Sequence, residues 1–334
     1  MPEGFTLVLL AVLGLAIAFD YINGFHDTAN AIATSVSTRA LKPSWAIAMS
    51  AVANFAGALT GTAVATTVGV GLIETSAAES QTVIAAALVG AIIWNLLTWR
   101  LGIPSSSSHA LIGGLLGAAL IAAGVGSWKI DGIVGKVLLP LVASPVIGFV
   151  IGLLLMALIF NVFRRAHPAR LNGVFRRLQV LSAAWMAFSH GSNDAQKTMG
   201  IMTLALVTAG VISEFVVPLW VIIVAATAIS LGTAAGGWRI IKTMGSRVVK
   251  LDPVHGFAAE TTAATVIFTA SHFGMPVSTT HVISSAIMGV GSSDRFKTVR
   301  WGVARSIVTA WVLTLPASAA AAAIAYLVLQ PILG

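Results

Sequence analysis

Residues 102–109 read GIPSSSSH and residues 274–281 read GMPVSTTH, about half the chain apart. In both stretches a proline is followed closely by a run of hydroxyl side chains and then a histidine. A second pair lies upstream of these, GFHDTAN at 24–30 and GSNDAQK at 191–197. Polar breaks at matching places in the two halves of an apolar chain are typical of secondary transporters built from two repeats.

The composition is that of a membrane protein. Only 9% of the 334 residues are charged and 57% are hydrophobic, which excludes an ordinary soluble domain. Long runs without Asp, Glu, Lys or Arg include 43–73, 80–99, 137–163, 215–238, 261–293 and 306–334. Each is at least as long as the roughly 20 residues that cross a bilayer core as a helix. We therefore predict an all-α polytopic protein of the cell membrane.

The first half predicts about five transmembrane helices, at 5–22, 44–69, 82–101, 103–123 and 137–160. The intervening segment 24–38 is too polar and too short to cross, so we predict a re-entrant or broken element there. An odd number of crossings per half requires the second half to start on the opposite side of the membrane. The acidic loop 70–81 and its basic counterpart 239–252 agree with such inverted-topology repeats.

The most basic loop, 164–177, is predicted to be cytoplasmic because Lys and Arg concentrate on that side. We predict a first transmembrane repeat at 1–163, a basic cytoplasmic linker at 164–179 and a second, inverted repeat at 180–334, with both termini extracytoplasmic. The net charge of +8 comes largely from short loops between helices. Membrane topology explains it better than nucleic-acid binding, so no nucleic-acid partner is expected.

The acidic elements carry matching polar residues at i, i+4 and i+7, which share one face of a helix: Asn23, Asp27 and Asn30 in one, and His190, Asp194 and Lys197 in the other. An unpaired carboxylate in hydrocarbon is costly, so Asp27 and Asp194 must face a partner, a cavity or an ion. A simple ion pair with Lys197 is the structural alternative. Duplication of the whole polar face favours an ion site. Asp20 has no acidic counterpart and stays unassigned.

The proline elements predict two helix N-termini, after Pro104 and Pro276. Free backbone N–H groups, hydroxyl donors and the positive end of the helix dipole together bind anions. Two such ends meeting near mid-membrane would form a pocket for a small tetrahedral oxyanion. Ordinary N-capping at a kink is the alternative. The histidines that follow, His109 and His281, are proton carriers or hydrogen-bonded structural partners, and Glu260 is a cation ligand or a helix-dipole partner.

The chain resembles the inorganic phosphate transporter (PiT) family, specifically its bacterial low-affinity Pit-type members. The paired G-x-N-D elements of that family correspond to 24–31 and 191–197, and its P-[ST]-[ST]-[ST]-H elements to 104–109 and 276–281. The resemblance implies cation-coupled phosphate uptake by an inverted-repeat homodimer, with broken helices at a site between the halves. It also implies that Glu260 is functional.

Three positions depart from the family pattern. His26 stands where many members have Asn, Asn54 where sodium-coupled relatives have Glu, and Lys197 where an Asn would mirror Asn30. The last two remove a hard oxygen ligand and add a fixed cation, and both changes disfavour sodium. We therefore favour proton coupling, with Asp27 or Asp194 titrating, and keep sodium as the alternative.

The predicted function is phosphate uptake by cation symport through alternating access, of free phosphate or a metal complex. We expect the protein not to be an enzyme and to need no cofactor beyond co-transported H⁺ or Na⁺. The alternatives are a sulfate permease on the same fold, an anion channel and, more remotely, an intramembrane hydrolase. Three groups of residues are predicted to form the site, with no metal ligands assigned. The phosphate group is Ser106, Ser107, Ser108, Ser278, Thr279, Thr280, Asn30, Gln196 and Lys197; the coupling-ion group is Asp27, Asp194, Asn23, Asn193 and Glu260; and the proton or supporting group is His26, His109, His190 and His281.

Overall fold

The computed structural model describes residues 6–74 and 80–333. Within these ranges the chain folds into helices, turns and loops, with one bridge pair between Ile73 and Trp128. The N-terminal residues 1–5 and Glu79, on which the first crossing and the acidic loop partly depended, lie outside the described residues. The α-helices are α1 (Leu7–Ser37), α2 (Pro43–Ala58), α3 (Ala63–Val70), α4 (Gln81–Leu101), α5 (Ser107–Ala123), α6 (Ile130–Gly132), α7 (Leu139–Val162), α8 (Pro168–Thr208), α9 (Leu219–Ala235), α10 (Trp238–Lys242), α11 (Pro253–His272), α12 (Thr279–Asp294) and α13 (Trp301–Leu333).

Several of these helices are suited to a bilayer. In the described part of the chain, α1, α4, the continuous helical stretch Ile130–Val162 and α13 are long and apolar enough to cross. Two bent pairs, α2 with α3 and α9 with Trp238–Arg247, raise the number of spans to six if each pair counts as one. The prediction of an all-α polytopic membrane protein is confirmed.

The predicted break at 24–38 is wrong, because α1 runs uninterrupted for 31 residues from Leu7 to Ser37. The polar second half of α1 does not face lipid. Its side chains from His26 to Ser35 are all buried by other helices, and Asn30 and Thr34 donate hydrogen bonds to side chains of α12 and α11. Helical backbone bonds need no apolar side chains, so a polar segment stays helical where protein surrounds it.

The breaks lie elsewhere. The predicted helix 44–69 is two helices, α2 and α3, bent by 73°. The backbone N–H of Val64, exposed by this break, donates to Gln196 Oε1 at 2.8 Å. In the second half α9 ends at Gly236, whose φ of 76° suits glycine. The helix breaks therefore lie between α2 and α3 and after α9, and not at 24–38 in α1, where the sequence predicted one.

Two helical hairpins, α4–α5 and α11–α12, have the same turn. Gly102 and Gly274 follow α4 and α11 in the left-handed conformation, at φ 68° and 65°. In each turn a serine then caps the next helix: Ser106 Oγ and Ser278 Oγ accept from the backbone N–H three residues later, both at 3.2 Å. The predicted N-termini are confirmed, although α5 begins at Ser107 rather than at 103.

The halves are interlocked. The last helix of the first half, α7, packs on α12, and the last helix of the second half, α13, packs on α5. Within the bundle α8 crosses α2 so closely that a Cβ on Gly191 would lie 2.1 Å from the carbonyl oxygen of Asn54. The domain boundaries and the inverted orientation stay predictions. The linker proposed at 164–179 is mostly helical, since α8 begins at Pro168.

The open end of the α11–α12 hairpin, opposite the turn at Gly274, is held together by three ionisable residues. Asp252 caps α11, and the charged His255 ring donates from Nδ1 to Asp252 Oδ1 at 2.8 Å and from Nε2 to Asp294 Oδ2 at 3.0 Å. Burial acts to lower the pKa of His255, but the hydrogen bond and charge of Asp252, joined by Asp294, outweigh it and raise that pKa. This group lies outside the apolar spans and stabilises the base of the hairpin in its charged form.

Candidate functional site

The site lies where the N-termini of α5 and α12 meet, beside the middle of α1 and α8. Ser108 Oγ of α5 donates to the carbonyl oxygen of Val277, just before α12, at 3.2 Å. Asn30 of α1 donates to Thr280 Oγ1 at 2.9 Å and to Thr279 Oγ1 at 3.3 Å. Residues far apart in the chain, from both predicted repeats, therefore form one buried polar centre.

On α8, Lys197 is the central cation. Its ammonium donates to Asp194 Oδ1, to Ser108 Oγ and to the carbonyl oxygen of Val277. Lys197 and Asp194 are both buried. The other carboxylate oxygen of Asp194 lies 3.2 Å from His190 Nε2 and accepts from Thr279 at 3.4 Å. The shared helix face predicted for these α8 residues is thus confirmed, and the ion pair considered as an alternative is present.

On α1, Asp27 is paired with a histidine. His26 Nδ1 lies 2.6 Å from Asp27 Oδ1, and His26 Nε2 lies 3.2 Å from Thr98 Oγ1. Thr98 donates its own proton to Trp94 O and accepts from Ser105, so it receives the His26 Nε2–H. With Nε2 committed as a donor, the short contact on the other side holds one proton between the ring and Asp27.

A second histidine joins the two acids. His190 Nε2 faces both carboxylates, 3.2 Å from Asp194 Oδ2 and 4.0 Å from Asp27 Oδ2. Its Nδ1 lies 2.9 Å from Asn54 Oδ1. Asn54 Nδ2 donates to Thr233 Oγ1, whose own proton goes to the carbonyl oxygen of Ile229. The amide oxygen therefore faces His190, which must donate from Nδ1 and turns Nε2 toward the acids.

The acids and the histidine are close enough to enclose an ion. One ligand atom each from Asp27, His190 and Asp194 lies within 4.8 Å of the others. The Lys197 ammonium, however, already neutralises the other oxygen of Asp194. A further metal cation here would sit beside a fixed positive charge, which weakens the site for sodium or a divalent ion.

The remaining predicted residues divide between the site and its surroundings. Ser107 Oγ lies 3.4 Å from His26 Nδ1, inside the centre, whereas Ser106 and Ser278 use their oxygens to cap helices. Gln196 Oε1 accepts from the backbone N–H of Val64 at the start of α3, and Asn193 donates to Ser271 and to Met275 O. The Asn23 amide oxygen is buried without a hydrogen-bond partner among the residues that the structure describes.

Glu260 forms a separate buried cluster with side chains of α1 and α8. Its carboxylate accepts from Thr34 at 2.5 Å, Ser182 at 2.5 Å and Gln179 at 3.1 Å. Gln179 in turn accepts from Thr38 at 2.7 Å. All the described polar contacts of Glu260 are with these donors, and neither Asp27 nor Asp194 is among them. A role for Glu260 in ion coupling stays a prediction.

His109 and His281 come together across the two hairpins. Their ring centroids are 4.8 Å apart, and His281 stacks on Trp311 of α13 at 4.1 Å. Both rings are buried, and within the described residues neither nitrogen of His281 has a hydrogen-bond partner. The geometry fits packing partners that hold the two helix N-termini together, and a proton-carrying role stays a prediction.

Sequence reasoning missed the residues that orient the histidines. Thr98 and Ser105 fix His26. Thr98 lies outside the repeated motifs, and Ser105 lies within 102–109, but its counterpart in the second half is Val277, so it was not among the predicted site residues. Asn54 was singled out only because of the family resemblance, and its contact with His190 could not be read from a separation of more than a hundred residues. The Glu260 partners Gln179 and Ser182 lie at the end of, or just beyond, the predicted linker, a region that the sequence assigned to a loop.

A model of the phosphate transporter family matches residues 23–322, which is most of the chain and includes every group of the site. The chain belongs to the phosphate transporter family. It is 51% identical over 330 residues to a probable low-affinity inorganic phosphate transporter of Bacillus subtilis, covering 98% of this chain and 99% of the relative. It is 50% identical over 321 residues to a protein of the same description from Rhizobium meliloti, covering 96% of each. The resemblance that the paired motifs suggested is confirmed.

A solved structure described as the sodium-dependent phosphate transporter has the same fold. It matches with a TM-score of 0.86 at 24% identity, covering 98% of this chain and all of the other. At this identity the likeness concerns the fold alone. Membership of a transporter family agrees with the prediction that the chain is not an enzyme.

Proposed function

We propose that this protein takes up inorganic phosphate across the cell membrane by proton symport. The observation that carries the proposal is the meeting of two hydroxyl-rich helix N-termini around the Lys197 ammonium. Hydroxyl groups, N-terminal backbone N–H groups and an ammonium are all donors, and donors directed at one point bind an oxyanion. Binding requires Lys197 to exchange a contact with Ser108 or Val277 O for one with phosphate.

The acids beside the donors favour phosphate over sulfate. Protonated phosphate carries a P–OH group that needs an acceptor, whereas sulfate near neutral pH has none. Asp194 Oδ2 accepts from Thr279, so an acceptor stands within the hydroxyl cluster. A site for sulfate would do better with donors only.

The charges within the site support a proton as the coupling ion. Asp194 is neutralised by Lys197, and Asp27 shares a proton with His26. The position equivalent to a glutamate of sodium-coupled relatives is Asn54, whose oxygen is occupied by His190. Two of the oxygens that a sodium ion would use are thus already committed to nitrogen donors.

Coupling is required by the membrane potential. Phosphate carries about one to two negative charges near neutral pH. Each charge moved inward against a negative interior costs ~2.3 kcal/mol per 100 mV. One or two co-transported protons remove this cost, and alternating access at the centre between the halves delivers both together. Assembly as a homodimer, and transport of phosphate as a metal complex, stay predictions.

The test is uptake of labelled phosphate by purified protein in proteoliposomes, with sodium, pH and divalent metal gradients imposed one at a time. We expect accumulation driven by an acidic exterior without sodium, and little competition from a tenfold excess of sulfate. Accumulation that requires a sodium gradient and ignores the pH gradient would refute proton coupling. Uptake that never exceeds electrochemical equilibrium under any gradient would identify a channel.

A further inference from the structure

One buried acid is not accounted for by the site. Four carboxylate side chains are buried in the described chain: Asp20, Asp27, Asp194 and Glu260. The last three have a histidine, an ammonium or several hydroxyl and amide donors. Asp20 is 0% exposed, and neither of its oxygens has a hydrogen-bond partner among the described residues.

The polar neighbours of Asp20 lack partners as well. Thr198 of α8 and Asn23, one turn further along α1, are the side chains close enough to act on its carboxylate. The Thr198 hydroxyl and the Asn23 amide oxygen are both buried, and neither has a hydrogen-bond partner within residues 6–74 and 80–333. Three adjacent side chains thus share unsatisfied polar atoms, whereas such atoms are nearly always paired in native proteins.

A negative charge on Asp20 has little to balance it. The charged or titratable groups that act on it are Asp194, which repels it, and His190, both from α8. Helices α4 and α9 also pack against α1, and their only ionisable residue is Arg100 at the far end of α4. An ionised carboxylate without a cation or donors is strongly disfavoured in such surroundings.

One proton satisfies the whole group. A neutral Asp20 gains an O–H that can donate to the Asn23 amide oxygen, and its carbonyl oxygen can accept from the Thr198 hydroxyl. Each of the three side chains then has a partner. A metal cation would instead need several more oxygens to complete its shell.

We infer that Asp20 binds the proton that is carried with phosphate. The inference rests on the proposed function. It assigns the coupling proton to a residue outside the phosphate pocket and not to Asp27 or Asp194, which already have cationic or shared-proton partners. Asp20 and Asp27 are seven residues apart on the same face of α1, about 10 Å along the helix. The equivalent position in the second half is Ala187, so the proton site exists in one half only.

The step is a simple protonation. The carboxylate takes a proton from the side where phosphate enters and becomes neutral, and the loaded centre can then rearrange without a buried charge. After rearrangement, water that reaches the cavity solvates the Asp20 carboxylate and allows it to ionise. The proton then leaves with phosphate on the other side. For net symport the empty transporter must return with Asp20 ionised, since a proton carried back would cancel the coupling.

The test uses Asp20→Asn, which mimics the protonated acid, in the full chain reconstituted in proteoliposomes. Two measurements are made: accumulation of labelled phosphate under an acidic exterior, and exchange of labelled for unlabelled phosphate with no gradient. We expect accumulation to fall at least tenfold in Asp20→Asn, with exchange within about threefold of wild type. Asp20→Glu keeps a carboxyl group and is expected to retain accumulation with a changed dependence on pH. Asp131→Asn, at an exposed acid, is the matched control.

The outcomes separate this inference from the proposed function. If wild type ignores the pH gradient, the proposed proton coupling fails, whatever Asp20 does. If wild type responds and Asp20→Asn accumulates phosphate equally well, Asp20 is a structural acid and the inference is wrong. If Asp20→Asn melts like wild type but loses exchange as well, Asp20 serves phosphate binding, which also overturns the inference. If a sodium gradient drives uptake in wild type and Asp20→Asn abolishes that uptake, Asp20 is a sodium ligand and the proton assignment is refuted.

Discussion

Removal of the Lys197 ammonium tests the charge arrangement on which the proposed function depends. In Lys197→Met the side chain keeps its approximate length and apolar stem but loses the charge. Asp194 then loses its closest cation, and Ser108 and Val277 O lose a shared donor. Both members of the ion pair are at most 1% exposed, so water cannot replace the missing group.

The expected loss of stability follows from the burial of this pair. Removing one partner of a buried ion pair costs about 3–5 kcal/mol, because the remaining charge is left uncompensated. His190 remains 3.2 Å from the other oxygen of Asp194 and offsets part of this charge, so we expect the lower end, about 3 kcal/mol. For a chain of this size 1 kcal/mol corresponds to roughly 2 °C in melting temperature, which gives a decrease of about 6 °C.

The assay is thermal unfolding in detergent, run as a double-mutant cycle with Asp194→Asn. Each single variant leaves one buried charge of this pair without its partner, whereas the double variant removes both charges. The loss in free energy of unfolding of the double variant should therefore be smaller than the sum of the two single losses by about 3 kcal/mol. All three variants should lose phosphate uptake, because Lys197 belongs to the proposed anion site and Asp194 supplies its acceptor. Additive losses, or a Lys197→Met protein as stable as wild type, would refute the reasoning.

Two further predictions concern the packing and the hairpin base. Gly191→Ala places a Cβ 2.1 Å from the Asn54 carbonyl oxygen, a backbone atom that cannot give way. We expect the free energy of unfolding to fall by at least about 3 kcal/mol and uptake to be lost. Gly14→Ala is the neutral control, since no described atom lies within 4 Å of the added Cβ. The raised pKa of His255 contributes stability that is complete below the ordinary value of 6.5 and is lost as pH rises through the folded-state pKa. The melting temperature of wild type should therefore fall as pH rises above 6.5. His255→Gln should reduce this dependence on pH, and His272→Gln, at an exposed position, should leave it unchanged. A melting temperature that depends on pH in His255→Gln as it does in wild type would contradict the assignment.

The sequence predicted the parts of the site that depend on local chemistry. Pro104 and Pro276 with their hydroxyl runs marked two helix N-termini, because capping is decided within a few residues. The i, i+4, i+7 spacing placed Asp194 and Lys197 on one helix face, because helical periodicity is also local. The family was recognisable for the same reason, since its motifs are short and duplicated.

The sequence misplaced the breaks. Segment 24–38 looked unable to cross because its polarity was judged against lipid, whereas other helices surround it. The residues 59–62 that interrupt α2 and α3 carry no strong helix breaker apart from Gly61. The interruption is stabilised by Gln196, which is distant in sequence and close only in the fold.

The sequence by itself determined that this is an all-α membrane protein with duplicated motifs, two hydroxyl-rich helix N-termini and two acidic elements, since each of these follows from composition and local spacing. Only the tertiary structure decided which charges meet. It paired Asp194 with Lys197, turned His190 toward both acids through Asn54, and left Asp20 without a hydrogen-bond partner in the described part of the chain. The physical reason is that in a low-dielectric interior the charge of a group depends on its nearest neighbours, and those neighbours come from helices far apart in the chain.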